Sequence, residues 1–216
     1  MPPLVWSIVV AGGSGQRFGQ LKQFAPLAGQ PVVDWSVAAC RPFSDGIVLV
    51  VPAGADLETT HGADVVVEGG PSRSDSVRHG LAAVPTAADV IVVHDAARPL
   101  ASPDLFRAVI DAVTTEGAGA AIPGMPVSDT IKSVDDTGRV TATLDRSTLV
   151  AVQTPQAFGA ELLRRAHTGG PVATDDAALV EALGATVRVV PGDPRNLKVT
   201  TQADLRTAAL LLELGD

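Results

Sequence analysis

Short, unbroken apolar runs alternate along this chain with longer segments in which apolar residues recur every three or four positions. The runs cover 4–10, 47–51, 64–67, 89–93, 120–122 and 186–190. They are rich in valine and isoleucine and stop at Pro52, Gly69-Gly70, His94-Asp95, Pro123 or Pro191. Such runs predict strands buried on both faces. The segments 32–41, 75–84, 103–114, 160–166, 175–183 and 202–212 predict helices, and Ser102 before Pro103 predicts an N-cap followed by proline at the first helical position. The alternation predicts an α/β fold, a doubly wound and mostly parallel sheet, in one domain over 1–216. One segment breaks the pattern. Residues 129–134 and 139–144, on either side of Asp135-Asp136-Thr137-Gly138, predict a β-hairpin with little apolar surface of its own. Two strands alone are marginal, so an arm over 129–147 is expected to pack on something, and a second subunit suits it.

Composition narrows the partners. The 216 residues are 46% hydrophobic, enough for one sizeable core. The formal net charge of −8 argues against nucleic-acid or anionic-membrane binding through general charge, so an anionic ligand must be held by local Arg and Lys. The single cysteine, Cys40, excludes an intramolecular disulfide and a cysteine zinc cluster, and predicts a small buried core residue. The first apolar run is too short to span a bilayer and no basic n-region precedes it, which makes a cytoplasmic location the expectation.

In doubly wound sheets ligands bind beyond the carboxyl ends of the strands. The first run empties into Ala11-Gly12-Gly13-Ser14-Gly15-Gln16-Arg17-Phe18-Gly19-Gln20-Leu21-Lys22. Glycines let backbone N–H groups approach an anion, and Arg17 and Lys22 supply charge. Phe18 stands where a dinucleotide loop needs its third glycine, and Lys22 lacks the neighbours of a Walker lysine. The remaining reading is the A-G-G-x-G-x-R…K loop of nucleotidyltransferases, which handle a nucleoside triphosphate and expel pyrophosphate.

Other strand ends carry further chemistry. Asp95 is the best ligand for a hard cation such as Mg²⁺, which commonly bridges a carboxylate and substrate phosphates; a helix cap or a salt bridge to Arg98 is the plainer alternative. His94 has no second His or Cys at ligand spacing and reads as structural. In Gly69-Gly70-Pro71-Ser72-Arg73-Ser74-Asp75-Ser76, Ser72 or Ser74 suits a helix cap, which leaves Arg73 and the other serines unexplained. Thr174-Asp175-Asp176 reads equally as a cap. Lys198 lies in an apolar stretch, 196–200, that predicts a short strand. An inward lysine there needs an anion, and a lysine on an edge strand is the alternative.

Taken in order, Ala11-Gly12-Gly13-x-Gly15-x-Arg17, Lys22-Gln23, Gly69-Gly70 with Arg73 and Asp75-Ser76-Val77, His94-Asp95-Ala96-Ala97-Arg98-Pro99, Asp129-Thr130-Ile131-Lys132, Gln153-Thr154-Pro155-Gln156, Thr174-Asp175-Asp176 and Lys198-Val199-Thr200 resemble the 2-C-methyl-D-erythritol 4-phosphate cytidylyltransferase family of the non-mevalonate isoprenoid pathway. The chain departs from the family pattern in a shorter Arg17–Lys22 loop, and in the absence of a proline before Lys22. The resemblance implies a Rossmann-like nucleotidyltransferase fold, CTP and methylerythritol phosphate as substrates, Mg²⁺ as cofactor, and a homodimer through the β-arm. It implies that Arg17 and Lys22 neutralise the triphosphate and that Arg146 and Lys198 are further catalytic cations. Ala11, Gly12, Gly13 and Gly15 would cradle CTP. Gly70, Arg73 and Ser76 fall in the cytosine segment, and Asp95 and Ala96 border the ribose and metal. Arg98, Thr130, Thr154 and Thr174 match the polyol phosphate side. A cytidylyltransferase for another polyol phosphate, such as ribitol 5-phosphate, and a regulatory nucleotide-binding module are the competing readings.

Overall fold

The computed structural model describes residues 1–12 and 21–215. The six apolar runs form strands: β1 (Val5–Val10), β4 (Gly46–Val51), β5 (Val65–Glu68), β6 (Val90–Asp95), β7 (Ala120–Pro126) and β12 (Val187–Pro191). So do the six helices: α1 (Val32–Cys40), α2 (Arg73–Ala83), α3 (Pro103–Thr114), α4 (Ala160–Ala166), α5 (Asp176–Ala182) and α6 (Gln202–Glu213). The sequence reading missed four short strands. Two make a small ribbon, β2 (Pro26–Leu27) with β3 (Gln30–Pro31), and two join the main sheet, β10 (Val150–Val152) and β11 (Gln156–Gly159). The predicted hairpin forms as β8 (Lys132–Val134) and β9 (Val140–Thr143), a separate, largely exposed antiparallel pair.

The main sheet runs β10-β7-β11-β6-β1-β4-β5, with β12 also on β7. β1, β4, β5 and β6 are parallel, as are β7 and β12, whereas β11 is antiparallel to both β6 and β7. The period-two alternation of each strand builds two cores. Val5, Val9, Ile47, Leu49, Val90 and Val92 face α1 and α3, where Val37, Cys40, Phe106 and Val109 meet them. Ile8, Val48, Val50, Ile91, Val93 and Phe158 face α2, α4 and α5 through Val77, Leu81, Leu163 and Val180. The central strands β1, β4 and β6 therefore read as continuous apolar runs because both faces are covered, whereas β5 and β12 are only partly buried. Cys40 is a core residue as expected, and burial pushes its thiol up to about 12.

Two features position the site. After β1 the chain winds outward through β4 and β5, then returns to lay β6 on the other side of β1. A crevice opens at that switch point, beyond the carboxyl ends of β1 and β6. The second feature is the path of β10 and β11 along β7. Val152 pairs with Gly124 and Ala157 with Ala121, so one strand advances five residues while the other advances three. The surplus at Gln153-Thr154-Pro155 bulges towards the crevice. β7 continues through Pro123 rather than ending there, and the N–H that proline lacks falls at this break in the ladder.

Phe158 is fully buried on the central antiparallel strand. Phe158→Ala is expected to cost about 3–5 kcal/mol of unfolding free energy by urea denaturation. A loss below about 1 kcal/mol would mean that the packing at β11 does not hold the two halves of the sheet together.

Candidate active site

Two cavities adjoin at the crevice. One, of about 350 Å³, is lined by the chain after β1 (Ala11, Gly12, Lys22), by the β5–α2 turn (Gly70, Arg73, Ser76) and by Asp95 and Ala96 at the end of β6. The other, of about 310 Å³, is lined by Arg98, Gln153, Thr154, Thr174 and Asp175. Arg73, Asp95 and Lys198 line both and so form the wall between them.

The first cavity is shaped by close backbone contacts. Ser72 caps α2, its Oγ accepting the Asp75 N–H at 3.1 Å while the Asp75 carboxylate accepts the Ser72 N–H at 3.1 Å. The Ser76 hydroxyl lies buried behind the turn, accepting the Gly70 N–H at 3.2 Å and donating to the Ser72 carbonyl at 3.0 Å. A Cβ on Gly70 would stand 2.3 Å from Asp75 Cβ, and one on Gly12 would stand 3.0 Å from Ser76 Oγ. Glycine at these places lets α2 approach the end of β1. The Ala11 carbonyl accepts from buried Gln23 Nε2 at 2.6 Å, which anchors the short 3-10 turn Lys22–Phe24 beside the cavity.

The dividing wall is electrostatic. Lys198 Nζ lies 2.6 Å from Asp95 Oδ2, and Arg73 Nε 3.5 Å from Asp95 Oδ1. Burial opposes the Asp95 charge, but Lys198 and Arg73 outweigh it and hold the carboxyl far below the ordinary carboxylate range. Lys198 thus has the anion that an inward lysine needs. Its segment, however, is not the predicted strand: 196–200 is irregular, tied down by Val199 N–H to the Ala97 carbonyl at 2.8 Å. The apolar alternation there arises because Leu197 and Val199 pack on a third cluster with Val32, Leu27 and Ala208.

His94 is structural, as its sequence context suggested. Its Nε2 faces the Arg98 carbonyl at 3.1 Å, so that nitrogen carries the proton. Nδ1 then accepts from Thr154 Oγ1 at 3.2 Å, and that hydroxyl oxygen accepts the Asp95 N–H at 3.0 Å. Thr154 therefore ties the β10–β11 bulge to the backbone that carries Asp95. Burial lowers His94 to about 4. Arg98 donates to the Asn196 carbonyl at 2.7 Å, and Asn196 in turn donates to the Thr154 carbonyl at 2.9 Å.

The structure brings together Ala11, Gly12, Lys22, Gly70, Arg73, Ser76, Asp95, Ala96, Arg98, Thr154, Thr174 and Lys198 around the two cavities. Gly13, Gly15 and Arg17 lie outside the described residues. Thr130 and Arg146 line neither cavity; both are exposed near the foot of the hairpin, where Arg146 donates to the Ser128 carbonyl. Ser102 precedes α3 but makes no side-chain capping bond. Of the Thr174-Asp175-Asp176 trio, Asp175 is the helix cap and Asp176 is a buried partner of Arg73, at 2.7 Å. That second role has no local signal in the sequence. Gln156, which reaches Asp175 at 3.2 Å, lines the second cavity and was legible only as part of the Gln153–Gln156 motif.

A switch-point crevice with a glycine-lined lobe, a second polar lobe and cations between them defines an α/β nucleotidyltransferase. The family model for 2-C-methyl-D-erythritol 4-phosphate cytidylyltransferase matches residues 5–214. The cytidylyltransferase of that name from Nocardia farcinica is 46% identical over 97% of this chain and 94% of its own length. The Rhodococcus jostii enzyme is also 46% identical, over 98% and 96%. The crystal structure of the Thermus thermophilus enzyme superposes with a TM-score of 0.81 at 33% identity, covering 95% of this chain and 98% of that one. This chain belongs to the 2-C-methyl-D-erythritol 4-phosphate cytidylyltransferase family, and the ribitol phosphate alternative is not favoured.

The His94 shift has a signed consequence. Its folded value lies below the ordinary 6.5, so the unfolded chain binds more protons between about 4 and 6.5. Stability from neutral His94 is complete above that window and is lost as pH falls through it, by on the order of 3 kcal/mol. Urea midpoints should fall between pH 6.5 and 4 in the wild type, and much less in His94→Gln. Equal pH slopes would contradict a buried neutral imidazole. Asp95 acts elsewhere: its contribution is full above about 3.9 and declines only below it.

Proposed function

We propose that this protein transfers a cytidylyl group: the phosphate of methylerythritol phosphate attacks the α-phosphorus of CTP, and pyrophosphate leaves. Atoms balance without a proton acceptor, because the nucleophile is already an anionic phosphate oxygen and the broken bond is the one between the α- and β-phosphoryl groups. The single observation that carries this reading is the pair of cavities that share one wall of Asp95, Arg73 and Lys198. Two anionic substrates, one in each lobe, would meet there. Such a reaction needs positioning and charge neutralisation rather than a general base.

In this reading CTP takes the glycine-lined lobe, with Ala11, Gly12, Gly13, Gly15, Gly70, Ser76 and Ala96 around base and ribose. Arg17 and Lys22 neutralise the triphosphate, and Lys198, Arg98, Thr154 and Thr174 hold the polyol phosphate side. Asp95 is the ligand for Mg²⁺. Among the described residues no group of three or more His, Cys, Asp or Glu could hold a metal. Magnesium nevertheless commonly takes only one or two carboxylates and completes its shell with phosphates and water. Asp95 beside a triphosphate lobe fits that habit, with Lys198 giving up or sharing Oδ2. The bound ion would neutralise charge on the departing pyrophosphate.

The working unit in this reading is a homodimer. Val134, Val140 and Leu144 on the hairpin and Val150 and Val152 beside it are exposed apolar residues. A twofold copy would cover them and would bring Thr130 and Arg146 to the neighbouring site, where a guanidinium fork suits a phosphate. No helix among the described residues is long and apolar enough to cross a membrane. A cytoplasmic setting and small-molecule partners, with no nucleic acid or membrane, complete the proposal.

Pyrophosphate release should appear with CTP and methylerythritol phosphate and fall strongly with ATP or GTP, because a lobe shaped for a pyrimidine excludes purines. Equal efficiency with ATP or with ribitol 5-phosphate would overturn the assignment. Arg17→Ala and Lys22→Ala should each lower kcat by about a hundred- to a thousandfold, whereas a change confined to KM would make them ground-state binders. Asp95→Asn should abolish turnover across a magnesium titration, and full activity would leave Asp95 a structural group. Mixing inactive Arg146→Ala and Lys22→Ala after dissociation and reassociation should restore activity in mixed dimers. No recovery despite proven exchange would place Arg146 in the site of its own chain.

A further inference from the structure

Behind the dividing wall lies a buried polar pair, His167 and Asp176, that the transfer reading does not use. His167, just beyond α4, places Nε2 3.0 Å from Asp176 Oδ1; both residues are buried. The other Asp176 oxygen accepts from Arg73 NH1 at 2.7 Å. Arg73 Nε faces Asp95, and its second terminal nitrogen has no partner among the described residues. The chain of contacts therefore runs His167, Asp176, Arg73, Asp95, and its third member lines both cavities.

Three points argue that this chain has more than a packing role. A carboxylate only accepts, so His167 Nε2 carries a proton. Its Nδ1 is buried and unpartnered among the described residues, so the ring's one side-chain hydrogen bond is the one it gives Asp176. A buried polar nitrogen without a partner costs stability, so what the imidazole contributes here is its other bond, the one to Asp176 Oδ1. That bond satisfies a buried carboxylate oxygen and fixes the orientation of Asp176. Asp176 in turn is kept ionised against burial by His167 and Arg73, and it takes one of the five guanidinium donors while leaving the far end uncommitted.

We propose that His167 and Asp176 are positioning residues that hold the Arg73 guanidinium on the wall between the two cavities, its remaining terminal nitrogen available to a phosphate group there. This rests on the transfer reading above, and it moves Arg73 from the cytosine segment to the point where the two substrates meet. A guanidinium left unoriented spends part of its time in other rotamers, and loss of alignment at a reacting phosphate lowers turnover more than affinity.

The test is a double-mutant cycle with CTP and methylerythritol phosphate. His167→Leu should lower kcat about tenfold, within the range for residues that share one network, with KM for CTP changed less than about twofold. His167→Gln, which keeps an N–H donor, should recover most of the loss. In an Arg73→Ala background His167→Leu should have almost no further effect. An equal loss in both backgrounds, or no recovery by glutamine, would overturn the proposal. Should His167→Leu fail to fold, Asp176→Asn takes its place in the same cycle. The ¹⁵N signal of the Arg73 Nε–H in the ligand-free protein gives a second readout. It should broaden or move in the leucine variant and return in the glutamine variant; an unchanged signal sinks the idea. Wild-type turnover with an additive cycle means that positioning fails while the transfer reading stands. Absent wild-type turnover removes the transfer reading and leaves the Arg73 signal to decide.

Discussion

Everything at the crevice depends on keeping one carboxylate charged inside the protein. Asp95 ends a strand whose every residue is buried. An unpaired charge there would cost several kcal/mol or would take up a proton. The fold answers with Lys198 and Arg73, which arrive from segments 103 positions later and 22 positions earlier in the chain, 198 − 95 and 95 − 73. Satisfying this charge fixes where the β5–α2 turn and the irregular stretch after β12 must lie. Both are the segments that line the cavities. The same requirement gives the cleft its character. Lys22, Arg73, Arg98 and Lys198 gather beside Asp95 and Asp175 in a chain of net charge −8. The local surplus of positive charge draws anions that the whole molecule would repel.

The second lobe needs a different device. A doubly wound sheet supplies one crevice at its switch point. Here β11 enters the sheet antiparallel, between β6 and β7, and the surplus residues before it form the floor of the second cavity. Thr154 binds that floor to the wall, since its hydroxyl bridges the Asp95 N–H and the His94 ring. A shift of the bulge would therefore be felt at the carboxylate. The two lobes are mechanically one site, with Arg73, Asp95 and Lys198 in the lining of both.

These physical differences decide what could be read from the sequence. The central strands β1, β4 and β6 were legible because both faces are covered, and β5, β7 and β12 from their short apolar runs alone. β11 was not, since only Ala157 and Phe158 mark it and a proline precedes them; its place is set by β6 and β7, not by its own pattern. Asp95 was legible as a carboxylate at a strand end, and Gly70 and Arg73 as a glycine and a cation in the turn between a strand and a helix. Lys198 was legible as a lysine in need of an anion, while its backbone was misread, because packing of Leu197 and Val199 on a helix mimics strand alternation. Asp176 looked like a cap beside Asp175, which is the true cap. His167 carried no signal at all, for its meaning lies in a carboxylate whose other partner stands 103 residues away.

The site is therefore stiff at one end and charged at the other, by different means. At the glycine-lined end, a Cβ on Gly70 would collide with Asp75 and one on Gly12 would crowd the Ser76 hydroxyl, so the width of the lobe is set by close backbone packing against α2. Backbone held at van der Waals distance cannot widen without moving α2, and α2 is capped by Ser72 and anchored through Val77 and Leu81 in the core. At the wall, by contrast, the positions of long side chains are set by ion pairs, which can be exchanged for substrate oxygens at small cost in geometry. In the proposed reaction, selection by size and neutralisation of charge would thus be separated in space. A rigid scaffold would then carry the first while the second falls to Lys198 and Arg73, whose shared partner Asp95 lines both cavities.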